Sequence, residues 1–318
     1  MEALPIRGNL FAIFGAGSNI VVSVGPDGVM IVDAGKAGMT DKVIAAVQQL
    51  SREWAVRNEP KPLGFGAETR SSIADRHITA PPKPIRYVMN TTSDADHVGG
   101  NEKLRNAGRT YTGGNVAGDI RDSTEGAAIL AHENVLVRMS SQDPPPPFTA
   151  WPTDTLFVPR KDLYFNGEAI EILHQPAAHT DGDTLVFFRR TDVVSTGDVF
   201  TTTGYPVIRP EDGGSIDGVV AALNRIIEIT VPEEKQEGGT LVIPGHGRLC
   251  DEADVVEYRD MVTIIRDRIR SMVESGMTLR QVQAAKPTAD YDGRYGATTG
   301  RWTTEQFVAA AYESLKSK

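Results

Sequence analysis

Residues 85–101 read Ile85-Arg86-Tyr87-Val88-Met89-Asn90-Thr91-Thr92-Ser93-Asp94-Ala95-Asp96-His97-Val98-Gly99-Gly100-Asn101. The stretch starts as an apolar, buried-type strand over 85–89 and runs directly into threonine, serine, aspartate and histidine. In an extended segment, residues two apart face the same way. Thr92, Asp94 and Asp96 are therefore expected to point together, with a turn bringing His97 round. Gly99-Gly100-Asn101 then leads into a helix predicted over 102–106.

Three further segments carry candidate metal-binding residues just past a predicted strand: His179-Thr180-Asp181-Gly182-Asp183, Gly197-Asp198 and Pro244-Gly245-His246-Gly247. The first two flank a predicted hairpin whose strands are 184–188 and 192–196. The outer ends of a hairpin are neighbours, so His179 and Asp198 are expected to lie close together. A set of histidine and carboxylate ligands suits zinc, or a borderline metal such as manganese or iron.

Composition narrows the classes. The chain has 318 residues, one large domain or two small ones at about 150 residues per domain. A chain of this size buries roughly 75% of its unfolded surface and needs no staples. Its 33 basic and 42 acidic residues give a net charge of −9, against the basic surplus of nucleic-acid binders. The same charge disfavours a nuclease or phosphodiesterase. The single cysteine, Cys250, excludes an intramolecular disulfide and any Cys-rich metal site. Metal chemistry would fall to carboxylates and the six histidines: His77, His97, His132, His174, His179 and His246. No apolar run approaches the roughly 18 residues of a membrane helix, and residues 1–14 lack signal-peptide organisation. We therefore expect no membrane partner and a cytoplasmic location, or a periplasmic one if a leader has been removed. The sequence specifies no oligomeric state.

Further elements follow from local pattern. Residues 19–24 and 29–32 read as a hairpin over Gly25-Pro26-Asp27-Gly28. Thr40 is placed to cap a helix over 41–50, and residues 52–84 read as an irregular insertion. Pro144 to Pro147 demand loop or polyproline. An amphipathic helix is expected over 215–229, a strand over 240–243, and surface helices over 252–275 and 304–316. The order strand, Asp33, helix, strand, Thr/Asp/His cluster is echoed by strand, Asp198, helix, strand, His246. Two such units would pack as two sheets with helices outside.

Asp96 and His97, His179 in HTDGD, Asp198 in STGDVF and His246 in PGHG occur in the order seen in the metallo-β-lactamase fold superfamily. That family carries H-x-H-x-D-H, then a His in H-T-x-G-D, then a Gly-Asp, then a late G-H. The stretches GSNIVVSVGPDGVMIVDAG, DHVGGNEKL, GGSIDGVVAAL and LVIPGHG also resemble the family, over roughly residues 8–260. The resemblance implies an α/β fold, a four-layer αββα sandwich of two mixed β-sheets flanked by helices. It implies one domain over 1–318, with core 8–260 and a helical C-terminal extension over 261–318. It also implies metal ligands Asp96, His97, Asp198 and His246 in one site, and His179 in another.

Where the family signature has its first two histidines, this chain has Thr92 and Asp94. A threonine hydroxyl is neutral and a poor ligand, whereas Asp94 is a competent hard one. Two readings follow: one ion in the intact second site, or two ions with Asp94, His179 and Asp198 forming an oxygen-rich first site. The implied activity is metal-dependent hydrolysis of a small molecule (a lactam, lactone, ester or thioester), with Asp96 or Asp198 orienting the water and moving its proton. The alternative is a degenerate member that binds metal without turnover. Asp33 is expected to support the site from a strand end. Asp183 either orients His179 or serves its turn. His174 and Cys250 read as structural, His77 and His132 as surface residues, and Tyr205 as a candidate pocket residue.

Overall fold

The computed structural model describes residues 1–58, 82–109 and 126–316. The expected features within 59–81 and 110–125, His77 among them, lie outside the described residues. Strands are β1 (Glu2–Arg7), β2 (Leu10–Phe14), β3 (Ile20–Gly25), β4 (Gly28–Val32), β5 (Ile85–Met89), β6 (Ala128–His132), β7 (Asp154–Leu156), β8 (Arg160–Phe165), β9 (Glu168–Gln175), β10 (Asp183–Phe188), β11 (Val193–Ser195) and β12 (Leu241–Ile243). The α-helices are α1 (Thr40–Asn58), α2 (Ala95–Val98), α3 (Asn101–Ala107), α4 (Glu133–Ser140), α5 (Ile216–Ile229), α6 (Glu252–Glu274), α7 (Leu279–Ala285), α8 (Asp292–Tyr295) and α9 (Thr304–Lys316).

The strands form two mixed sheets, one of seven in the order β1 to β7 and one of five in the order β12-β11-β10-β9-β8. Helices flank both, as the resemblance implied. β3 and β4 pair antiparallel through Gly25↔Gly28, the hairpin expected from the Gly-Pro-Asp-Gly turn. Both faces of β4 are buried, which explains its unbroken apolar run. The sequence echo is real in topology: β4 and β5 are parallel neighbours joined across α1, and β11 and β12 are parallel neighbours joined across α5.

Chain contacts divide the protein into two compact units. The first comprises Met1–Ala131, Arg138–Thr155 and Tyr164–Glu168; the second comprises His132–Val137, Leu156–Leu163 and Ala169–Lys318. Each has its own apolar core. In the first, Val22, Ile31, Val43, Val47, Val88 and Ile129 pack between sheet and α1. In the second, Leu185, Val194, Leu223, Val262, Ile265 and Phe307 do the same for the five-stranded sheet and its helices.

Three helices differ from the expectation. α1 continues past residue 50 to Asn58, because the apolar face carries on through Leu50, Ser51 and Ala55, so the irregular insertion does not begin at 52. α6 and α9 are not surface helices of the ordinary kind. α6 buries Val255, Tyr258, Met261, Val262, Ile265 and Ile269, and α9 buries Phe307, Ala311 and Tyr312 in the same core. α5 begins where predicted, with the Ser215 hydroxyl accepting the Gly218 N–H at 3.0 Å.

Candidate metal centre

The first unit holds Asp94, Asp96 and His97 in the loop and single turn that follow β5. The Asn90 and Asn101 amides bond each other in both directions at 3.0 and 2.9 Å, and Asn101 Nδ2 also donates to Ala150 O at 2.9 Å. This buried clamp closes the loop at its two ends. Asp94 caps α2 in extended geometry, and its carbonyl accepts the His97 and Val98 N–H groups. Gly100 is required by close approach: a Cβ there would lie 2.3 Å from the Ala34 carbonyl oxygen. The ligating atoms of Asp96 and His97 lie within 4.8 Å of each other. Asp94, Asp96, His97 and Thr92 are all buried.

Asp33, at the end of β4, holds the His97 ring. Its Oδ2 lies 2.9 Å from His97 Nδ1 and accepts the Thr91 hydroxyl at 2.7 Å, while Oδ1 accepts the Thr91 N–H at 2.9 Å. A carboxylate can only accept here, so the proton sits on Nδ1 and the Nε2 lone pair is the one presented for ligation. Carboxylate-anchored imidazoles of this kind are a hallmark of metal-ligating histidine. Asp33 adopts φ 64°, a left-handed conformation that aspartate tolerates better than most residues.

In the second unit His179 lies between β9 and β10, Asp198 just after β11, and His246 just after β12. The ligating atoms of His179 and Asp198 lie within 4.8 Å of each other, as the hairpin argument required. His246 Nε2 stands 3.4 Å from Asp198 Oδ1. His179 Nδ1 donates to the Val207 carbonyl at 2.9 Å, which again leaves Nε2 as the ligating nitrogen. Gly245 makes the Asp198–His246 approach possible, since a Cβ there would lie 2.4 Å from Asp198 Oδ1.

Asp183 serves the turn rather than the His179 ring. Its carboxylate accepts the Thr180 N–H at 2.7 Å and the Thr180 hydroxyl at 2.9 Å. Burial pushes this carboxyl up to about 6, against the opposing pull of His179 and the Thr180 bonds. Burial likewise pushes the Cys250 thiol up to about 12, in keeping with an inert structural cysteine.

His132 is a correction. It is 5% exposed rather than a surface residue, and its ring stacks on His174 with centroids 3.7 Å apart and planes 10° from parallel. His132 Nδ1 accepts the Asn134 N–H at 3.2 Å, and His174 Nε2 donates to the Asp181 carbonyl at 2.7 Å. Burial, then the neighbouring His174, push the His132 imidazole from 6.5 down to about 4, with Asp181 opposing. Between those values the unfolded chain takes up a proton that the folded one refuses. The contribution of His132 to stability is therefore intact above about pH 6.5 and is lost as pH drops toward 4. Urea unfolding of His132→Gln is expected to show a flatter pH dependence across that window than wild type. An unchanged slope would remove His132 as its source.

The segment 204–207 joins the site to the C-terminal region. Tyr258 donates to Gly204 O at 2.9 Å, Tyr205 to Asp292 Oδ1 at 2.9 Å and Thr288 O at 3.2 Å, and Trp302 Nε1 to Pro206 O at 3.2 Å. The Tyr205 and Phe307 rings stack at 4.7 Å. Tyr205 does line a cavity with Asp198 and His246, as the sequence suggested. Asn90, Asn101, Val207 and Asp292 were not anticipated. Their roles come from partners 11 to 87 positions away, which no local pattern links to them.

The model of the metallo-beta-lactamase superfamily matches residues 13–246 of this chain. The chain belongs to that superfamily. No curated protein matches it. Among solved structures, the metallo-β-lactamase from Pontibacter korlensis is similar with a TM-score of 0.54 at 12% identity, over 82% of this chain and 98% of that one. The DIM-1 metallo-β-lactamase gives 0.52 at 14% identity, over 82% and 96%. The stereoselective inverting sec-alkylsulfatase Pisa1 from Pseudomonas sp. gives 0.63 at 13% identity over 98% of this chain. This chain spans about half (49%) of the alkylsulfatase. Such likenesses bear on the fold. As a superfamily member the chain is placed among proteins that are mostly metal-dependent hydrolases, and all six of its expected ligands are His or carboxylate side chains suited to a metal ion. No helix among the described residues is long and apolar enough to cross a membrane.

Proposed function

We propose that the protein is a metal-dependent hydrolase of a small molecule: a lactam, lactone, ester or thioester. The observation that carries this is the anchoring of His97 by Asp33 and of His179 by Val207 O, each with the proton on Nδ1. That tautomer leaves each Nε2 lone pair available to a metal ion, as a ligating histidine requires. The donor set of Asp94, Asp96, His97, His179, Asp198 and His246 fits zinc, with manganese or iron as alternatives. A divalent ion, when bound, supplies Lewis-acid polarisation of the electrophile and acidification of water. Asp96 and Asp198 are the proposed groups that orient the attacking water and carry its proton. Asp33 and Val207 hold the two imidazoles in register, and Gly245 keeps Asp198 and His246 adjacent. The whole chain, core 8–260 with extension 261–318, is proposed to work as one domain, in the cytoplasm.

Elemental analysis of the purified protein, paired with a panel of esters, lactones, lactams, thioesters and alkyl sulfates, tests this. Bound metal near one or two equivalents is expected, with turnover on at least one neutral acyl substrate. In His246→Ala both metal content and rate should fall, the rate by at least 100-fold. Thr92 and Asp94, standing where the family signature has histidines, favour a second reading: a metal-binding member without turnover. Full metal occupancy with no rate across the panel would favour it over the hydrolase.

A further inference from the structure

A cavity of about 190 Å³ within the second unit opens beside Asp198 and His246. Two stretches distant in sequence wall it. Thr201, Thr203 and Val207 come from the loop after β11, and Tyr295, Trp302 and Thr303 from the C-terminal region. Apolar cavities of about 150 Å³ hold a benzene ring, and pockets for drug-sized ligands run from roughly 300 to 1,000 Å³. The space therefore suits one compact ring or short branched chain.

The wall chemistry is selective. Trp302 Nε1 is committed to Pro206 O, so the indole offers its carbon surface. The Thr201 hydroxyl donates to His246 O at 3.2 Å, so in its 3.0 Å contact with Thr203 Oγ1 the Thr203 hydroxyl is the donor. Both protons are then committed, and what remains on these threonines is acceptor lone pairs. Beside them stand the aromatic surfaces of Trp302 and Tyr295 and the aliphatic side chain of Val207. An uncharged apolar group would lose little and gain contact with the aromatic wall.

Resting on the hydrolase reading, we propose that this cavity receives the uncharged, phenyl-sized substituent of a neutral ester or lactone, with Trp302 as the specificity-determining wall.

The test uses two unreactive probes with the same polar head, methyl phenyl sulfone and dimethyl sulfone, titrated calorimetrically into the purified full-length protein. The phenyl sulfone is expected to bind at least tenfold more tightly than dimethyl sulfone. Trp302→Ala should weaken phenyl sulfone binding at least tenfold, Trp302→Phe should largely retain it, and Val207→Phe, which fills the cavity, should abolish it. Metal content and thermal unfolding are followed in every variant, and Val207→Phe keeps the test decisive if Trp302→Ala proves unfolded. Equal or tighter binding of dimethyl sulfone, or wild-type phenyl sulfone binding in folded Val207→Phe, overturns the proposal. Selectivity for the phenyl sulfone without turnover of any substrate would leave the pocket standing and sink the hydrolase reading. Turnover that ignores Trp302→Ala would do the reverse.

Discussion

Replacing Asp33 by asparagine is expected to lower affinity for divalent metal by about 10–100-fold, the usual cost of losing an outer partner of a ligating histidine. Asparagine keeps the size of aspartate and tolerates the φ of 64° at this position, so the backbone is not the issue. The chemistry is. Both carboxylate oxygens accept: Oδ1 from the Thr91 N–H, and Oδ2 from the Thr91 hydroxyl and His97 Nδ1–H. An amide supplies only one accepting atom. If its NH2 faces His97, two donors oppose each other and the imidazole must move its proton to Nε2, which removes the ligating lone pair. If the NH2 faces the Thr91 N–H, a buried donor loses its acceptor at a cost of about 1–3 kcal/mol. Competition against a chromophoric chelator measures the affinity directly. Wild-type affinity in a folded Asp33→Asn protein would show that His97 needs no such anchor and would weaken its assignment as a ligand.

Phe307→Ala is expected to destabilise the protein by about 3–5 kcal/mol, the range for truncating a fully buried phenylalanine. Phe307 is completely buried in α9, in one core with Leu223, Tyr258 and Val262, and stacks on Tyr205 at 4.7 Å with planes 6° apart. The truncation leaves a void under Tyr205, the residue that ties 204–207 to Asp292 and Thr288. Because Val207 O in that segment holds His179, the substitution should also weaken metal binding at temperatures where the protein is still folded. Denaturant unfolding reads the first effect and chelator competition the second. A loss below about 1 kcal/mol would mean that α9 is an appendage and not part of the core.

Features that depend on neighbours along the chain can be read from residue order. The β3–β4 turn, the apolar strand before Asn90 and the Ser215 cap rest on local pattern and were legible. So was the nearness of His179 and Asp198, because a hairpin brings its own ends together. The continuation of α1 to Asn58 was also present in the sequence, in an apolar face that does not stop at Leu50. The motif order alone was enough to indicate the superfamily, since each candidate ligand follows a strand that pattern can find.

Other features arise from contacts between distant parts of the chain. Asp33 anchors His97 from 64 positions away, and His179 leans on Val207 from 28. His132 looks like any polar residue at a strand end until folding stacks it on His174. The helices over 252–274 and 304–316 have charged faces that read as surface, yet their other faces complete a core with Tyr205. Burial and long-range hydrogen bonding are properties of the assembled chain, and no local periodicity encodes them. The residue types of the candidate site could thus be read from their order, while the tautomers of His97 and His179, and the cavity beside Asp198, exist only once the chain is folded.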